Sequence, residues 1–252
     1  MISRHELTHF LDTTLSLSTI RDVSNNGLQI EGTENIIRIG LAVDAGMKTY
    51  ESAVEHNCQM IIVHHGLFWG GLTSITGRMR RHIFYLLEHN INLYAAHLPL
   101  DLHPELGNNI ELAKKLQLEN ITPFGKYHGE TIGYQGEFSQ SITLEELQNS
   151  LSRICDNKNI QTLAFGTPDI KTVGIVSGRG GDALDEAIEN KLDCFITGEP
   201  DHINYHPALE NNITVLYAGH YHTEVFGVRA LGKKTATEFG IETVFLNIPT
   251  DV

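Results

Sequence analysis

Apolar residues in this chain fall into short runs separated by amphipathic stretches. Strand-like runs lie near residues 36–43, 60–63, 91–96, 131–138, 160–165, 171–176, 193–197, 213–218 and 241–247. Helical spacing fills most of the intervals, near 46–57, 77–90, 104–117, 143–154, 181–191, 202–211 and 222–239. Ser3-Arg4-His5-Glu6 is a capping-box pattern ahead of Leu7, Phe10 and Leu11 at helical spacing, so a further helix starts the chain. Asn25-Asn26-Gly27 reads as a turn into a short Leu28-Gln29-Ile30 run. The alternation of strand and helix predicts an α/β fold with mixed, largely parallel sheets and flanking helices.

An internal repeat refines this reading. Ile37-Arg38-Ile39-Gly40-Leu41-Ala42-Val43, a helix, and Met60-Ile61-Ile62-Val63-His64-His65 match Lys171-Thr172-Val173-Gly174-Ile175-Val176-Ser177, a helix, and Cys194-Phe195-Ile196-Thr197-Gly198-Glu199 at an offset of 134 residues. A third strand follows in each copy, and there His97 and Asp101 match His220 and Glu224. Two related βαβαβ halves are expected, over 1–117 and 166–252, joined by a less regular segment over 118–165. Ligands of open α/β sheets bind beyond the carboxyl ends of the strands, where each polar cluster lies. If the halves face each other in one compact unit, the clusters can meet in one site between them.

The residue types at those strand ends suit divalent metals. His64 and His65 are adjacent on a strand, which sends neighbouring side chains to opposite faces. Both reach one site only if the backbone is already turning, which the following Gly66 makes easy. His220 and Glu224, four apart, share one face of an incipient helix, whereas Pro99 between His97 and Asp101 favours an extended turn. Taken singly, each pair is explained as well by a surface hydrogen bond or a helix cap. His222 and His103 fall on other faces and are poorer candidates. Imidazoles and carboxylates in this number exceed the three protein ligands of an ordinary catalytic zinc site and suit two ions, zinc, manganese or iron. Such a pair acidifies bound water and polarises a carbonyl, imine or phosphoryl group.

Three further segments invite a substrate reading, each with a plainer one beside it. Gly77-Arg78-Met79-Arg80-Arg81 could meet phosphate, or be a solvated helix start. Ser177-Gly178-Arg179-Gly180-Gly181 lies where phosphate-cradling loops lie, but a plain glycine turn reads as well. Phe68 and Trp69 could form an apolar wall or simply core.

Composition narrows the class. The 252 residues include 41% hydrophobic and 19% charged residues, as in globular proteins. No apolar stretch reaches the length of a membrane span, and the start lacks a secretory core, so a cytoplasmic setting is expected. Cys58, Cys155 and Cys194 are odd in number and without metal-type pairing, which argues against a disulfide framework. A net charge of −13 argues against nucleic acid as partner. It leaves open a regulatory, scaffold or metal-delivery role beside an enzymatic one.

Asn26-Gly27-Leu28-Gln29-Ile30-Glu31-Gly32, Val63-His64-His65-Gly66-Leu67-Phe68-Trp69, His97-Leu98-Pro99-Leu100-Asp101 and Gly219-His220-Tyr221-His222-Thr223-Glu224 resemble, in this order, the motifs of the Nif-three-like dinuclear-metal family. Its members are commonly named GTP cyclohydrolase 1 type 2 homologues, and this chain is similar to the short bacterial form. The resemblance implies that His64, His65, Asp101, His220 and Glu224 ligate two divalent ions, with His97 beside them as proton shuttle or occasional ligand. It also implies a homohexameric ring, a trimer of dimers, acting on a small molecule such as a nucleotide. The activity in the family's name would open the guanine imidazole ring of GTP and release formate. Tyr221-His222 stands where relatives vary, so local specificity could differ.

Overall fold

The computed structural model describes residues 1–71 and 74–250; Asp251 and Val252, the end of the expected second half, lie outside the described residues. In chain order the first elements are β1 (Ile2–Ser3), α1 (Arg4–Thr14), β2 (Gly27–Ile30), β3 (Asn35–Ile36), β4 (Arg38–Asp44), α2 (Met47–Glu55), β5 (Met60–His65), α3 (Gly77–Glu88), β6 (Asn92–Ala95) and α4 (Leu98–Asp101). There follow α5 (Asn108–Lys115), β7 (Glu119–Tyr127), β8 (Glu130–Thr143), α6 (Leu144–Cys155), β9 (Gln161–Ala164), β10 (Asp169–Val176), α7 (Leu184–Glu189), β11 (Cys194–Thr197), α8 (Tyr205–Glu210), β12 (Thr214–Tyr217), α9 (His220–Phe239) and β13 (Glu242–Phe245).

These elements pack into two units. The first comprises Met1–His103 with Gly227–Ile248, and the second Pro104–Phe226 with the C-terminal residues from Pro249. In the first unit a five-stranded sheet runs β13-β4-β5-β6-β2, parallel except for β2. In the second, six strands run β7-β8-β10-β11-β12-β9, with β10, β11 and β12 parallel and the others antiparallel to their neighbours. Both units therefore carry the βαβαβ core read from the repeat: β4-α2-β5-α3-β6 and β10-α7-β11-α8-β12.

The central strands are apolar throughout because parallel strands are covered on both faces. Met60 to Val63 are fully buried, as are Cys194 to Ile196 and Val215-Leu216. Tyr50 of α2 and Leu86 of α3 close on the first sheet, and Leu184 and Ala187 of α7 on the second. Burying one of these leucine side chains contributes about 1.5–3 kcal/mol. All three cysteines are buried and free. Among the described residues no helix is long and apolar enough to cross a membrane.

Three local expectations change. Residues 118–165 are regular: the β7–β8 hairpin, α6 and β9 all lie in or against the six-stranded sheet. β8, α6 and β9 match the runs read near 131–138, 143–154 and 160–165, while β7 is a half-polar run that pairing with β8 makes a strand. Gly227–Ile248 belongs to the first unit, where β13 adds parallel to β4. Pro99 ends up in the first turn of α4, where its missing N–H costs nothing, so His97-x-x-x-Asp101 is a short helix and not an extended turn.

Candidate metal centre

β5 ends in His64 and His65, and β6 leads into His97, the residue before α4. His64 and His65 do converge: their ring centres are 4.7 Å apart, and that of His97 lies 5.0 Å from His64 and 5.6 Å from His65. One ring nitrogen from each of the three lies within 4.8 Å of the others. Asp101, at the end of α4, brings Oδ2 to 3.4 Å from His64 Nε2. His64 is fully buried and Asp101 nearly so.

In the second unit α9 begins at the carboxyl end of β12, and its first turn carries His220 and Glu224. His220 Nε2 is 3.0 Å from Glu224 Oε2, and His220 Nδ1 is 2.5 Å from Glu199 Oε1, two residues past β11. Burial works to lower the pKa of His220, but hydrogen bonds and charge from Glu224 and then Glu199 outweigh it and raise it to about 9. At neutral pH, without metal, His220 is an imidazolium held by two carboxylates. An ion taking Nε2 displaces that proton.

One pattern runs through all four histidines. Nδ1 of His64 donates to the Ala96 carbonyl at 2.8 Å, and Nδ1 of His65 to Asp44 at 2.9 Å. Nδ1 of His97 donates to Asp22 at 3.0 Å, and that of His220 to Glu199. A carbonyl or an ionised carboxylate has no hydrogen to give, so the ring must supply it at Nδ1. A neutral ring is then left with its lone pair on Nε2, the arrangement that orients metal-ligating histidines. The donor set of imidazole nitrogens with carboxylate oxygens fits zinc, manganese or iron, and the buried cluster could hold a metal ion.

The loop after β10 makes room for the second pair. Gly178 has φ +61°, and a Cβ there would lie 2.1 Å from Glu224 Oε1 and 3.2 Å from His220 Nε2. The loop is tied down: Gly178 N donates to Thr223 Oγ1, Gly180 N to Thr197 Oγ1, and Ser177 N to Asn109 Oδ1. Those three amides are taken and are not available to cradle a phosphate. His222 turns away, its Nδ1 donating to the Cys155 carbonyl. The Asn26–Ile30 motif is a clasp: Asn26 Oδ1 accepts from His97 N, and Gln29 Oε1 from Leu67 N.

Residues 2–251 match the family described as Duf34/NIF3 (NGG1p interacting factor 3). The chain belongs to the Duf34/NIF3 family. Proteins named GTP cyclohydrolase 1 type 2 homolog from Pyrococcus abyssi and Archaeoglobus fulgidus are 45% and 43% identical to it, covering 99% and 98% of each chain. The crystal structure of TTHA1606 from Thermus thermophilus superposes with a TM-score of 0.89 at 38% identity, covering both chains fully.

In this Duf34/NIF3 chain the orienting carboxylates are what sequence reasoning missed. Glu199 was within reach, since the 134-residue offset pairs it with His65. The same offset pairs Asp44 with Gly178: one half orients a histidine where the other makes space for Glu224. Asp22 gave no signal, lying 75 residues from His97.

Asp22 also ties pH to stability. Burial works to raise its pKa, but the hydrogen bond and charge of His97, helped by Asn26 and Ser24, lower it from 3.8 to about 2. A folded-state pKa below the unfolded value means stability present above pH 3.8 and lost as pH falls through about 2. At about 1.36 kcal/mol per unit this is at most ~2 kcal/mol, less after solvent screening. Urea unfolding of metal-free wild type and Asp22→Asn should show a gap at pH 6 that closes near pH 2. A gap independent of pH would contradict the assignment.

Proposed function

We propose that this protein is a dinuclear metal-dependent hydrolase with two divalent ions per subunit. His64, His65, Asp101, His220 and Glu224 are the proposed ligands. The observation that carries the reading is the shared Nδ1 anchoring of the four histidines, which presents each Nε2 for coordination. Family membership and the name GTP cyclohydrolase 1 type 2 homolog of its relatives support it. Bound there, divalent ions would supply Lewis acidity and activate water.

The chain's own residues do the rest. His97, held by Asp22 and partly exposed beside His64 and His65, is the group placed to pass a proton to or from substrate. Asp44 and Glu199 keep their imidazoles in one tautomer. The substrate is a nucleotide, as in GTP cyclohydrolase chemistry, or another phosphorylated small molecule. A cytoplasmic homohexameric ring is the proposed assembly.

The test is elemental analysis of natively purified protein with a nucleotide turnover screen in the metal found. Turnover that falls at least tenfold in His64→Ala and Glu224→Ala, together with lost metal, is expected. Metal retained with no turnover of any nucleotide would replace the hydrolase by a metal-binding scaffold or delivery protein.

A further inference from the structure

Beside the histidine cluster the first unit has a cavity of about 310 Å³ whose walls include Ala45, Leu67, Trp69, Arg78, Met79 and His82. It opens past the ends of β4 and β5, where parallel sheets take ligands. Trp69 joins the cavity to the cluster: its ring centre is 6.0 Å from that of His65 and 4.9 Å from that of His97. The indole is fixed, since Nε1 donates to the Gly66 carbonyl at 2.9 Å and the backbone bridges to Ser24.

The other wall is cationic. Arg78 lies in the first turn of α3 and points Nε at His82 Nε2, 3.4 Å away. His82 is buried, its Nδ1 3.3 Å from the Tyr50 hydroxyl, so it accepts from the guanidinium and steers it. Among the described residues no carboxylate pairs with Arg78, although the chain carries 31 acidic residues against 18 basic ones. The cap residue Thr76 makes no side-chain bond to α3, which leaves first-turn amides for the same anion. The two segments that sequence could only suggest for substrate, the arginine run and Trp69, thus line one cavity.

We propose that this cavity binds the anionic, ring-bearing end of a small molecule, its flat face on Trp69 and Met79 and its carboxylate or phosphate on Arg78. Planar bidentate recognition of such groups is what arginine supplies and lysine does not. The volume is near the lower end for small-molecule sites, about 300–1,000 Å³. It takes a ring and its anionic substituent, not a whole nucleotide. The proposal names the ligand class of the proposed hydrolase site, and it rests on that reading only for the ligand's fate.

Trp69 is the only tryptophan in the chain, so its fluorescence reports the cavity directly. The full-length protein is titrated with benzoate, phenyl phosphate and neutral benzamide, with calorimetry alongside. Both anions should saturate the signal, with benzamide about tenfold or more weaker. Arg78→Gln should weaken the anions by a similar factor without changing benzamide, and Arg78→Lys should restore part of the loss. The tighter anion identifies the natural substituent. No saturable binding of either anion, or equal binding in Arg78→Gln, would overturn the proposal. Binding that depends on Arg78 in a protein without turnover would sink the hydrolase and leave this site standing. Turnover unaffected by Arg78→Gln, with no Trp69 response, would do the reverse.

Discussion

Gly178→Ala should both destabilise the protein and drive Glu224 from its place beside His220. A left-handed backbone at φ +61° costs an L-residue about 1–2 kcal/mol before any contact is counted. The new Cβ would also lie 2.1 Å from Glu224 Oε1, so the carboxylate must leave its place beside His220. The loop cannot move aside cheaply, because Thr223, Thr197 and Asn109 hold its amides. A loss of about 2 kcal/mol or more in denaturant unfolding is expected. Reduced metal content at saturating metal should accompany it. A variant with wild-type stability and metal content would show that the loop yields and that Gly178 is not the spacer described.

Glu199→Gln isolates orientation from ligation. Glutamine keeps the size of the side chain and removes the charge that fixes His220 Nδ1–H. Loss of such a partner lowers metal affinity by about 10–100-fold without removing a ligand. Asp44→Asn should act on His65 in the same way. Competition against a chromophoric chelator reads the affinity, and circular dichroism checks the fold. Unchanged affinity in both variants would mean that neither the charge nor the orientation these carboxylates supply matters to metal binding. Rescue of Glu199→Gln by Glu199→Asp would favour the hydrogen bond over bulk.

Much of this was legible in the chain because its signals are local. Buried parallel strands need unbroken apolar runs, so β5 and β12 stand out in sequence with their ends marked by His64-His65 and His220. The repeat likewise survives in sequence, since both units solve the same packing problem with the same pattern. β8 shows as the run near 131–138, but β7 was not legible: most of its residues are exposed, and pairing with β8 in the six-stranded sheet orders them.

Residue type and spacing alone thus determined the α/β class, the paired βαβαβ cores and the polar clusters at the strand ends, His64-His65, His97 with Asp101 and His220 with Glu224; the resemblance singled out five of these six residues as ligands. Those properties follow from periodicity and from chemistry that few side chains can perform. Tertiary structure alone decided which atoms of those side chains are presented. Asp22 and Asp44 reach their histidines from 75 and 21 residues away. The spacer role of Gly178 depends on a loop folded against α9, and the Trp69–Arg78 cavity on α3 closing near a strand end. A hydrogen bond depends on position within a few tenths of an ångström, and only the folded chain sets that across such separations.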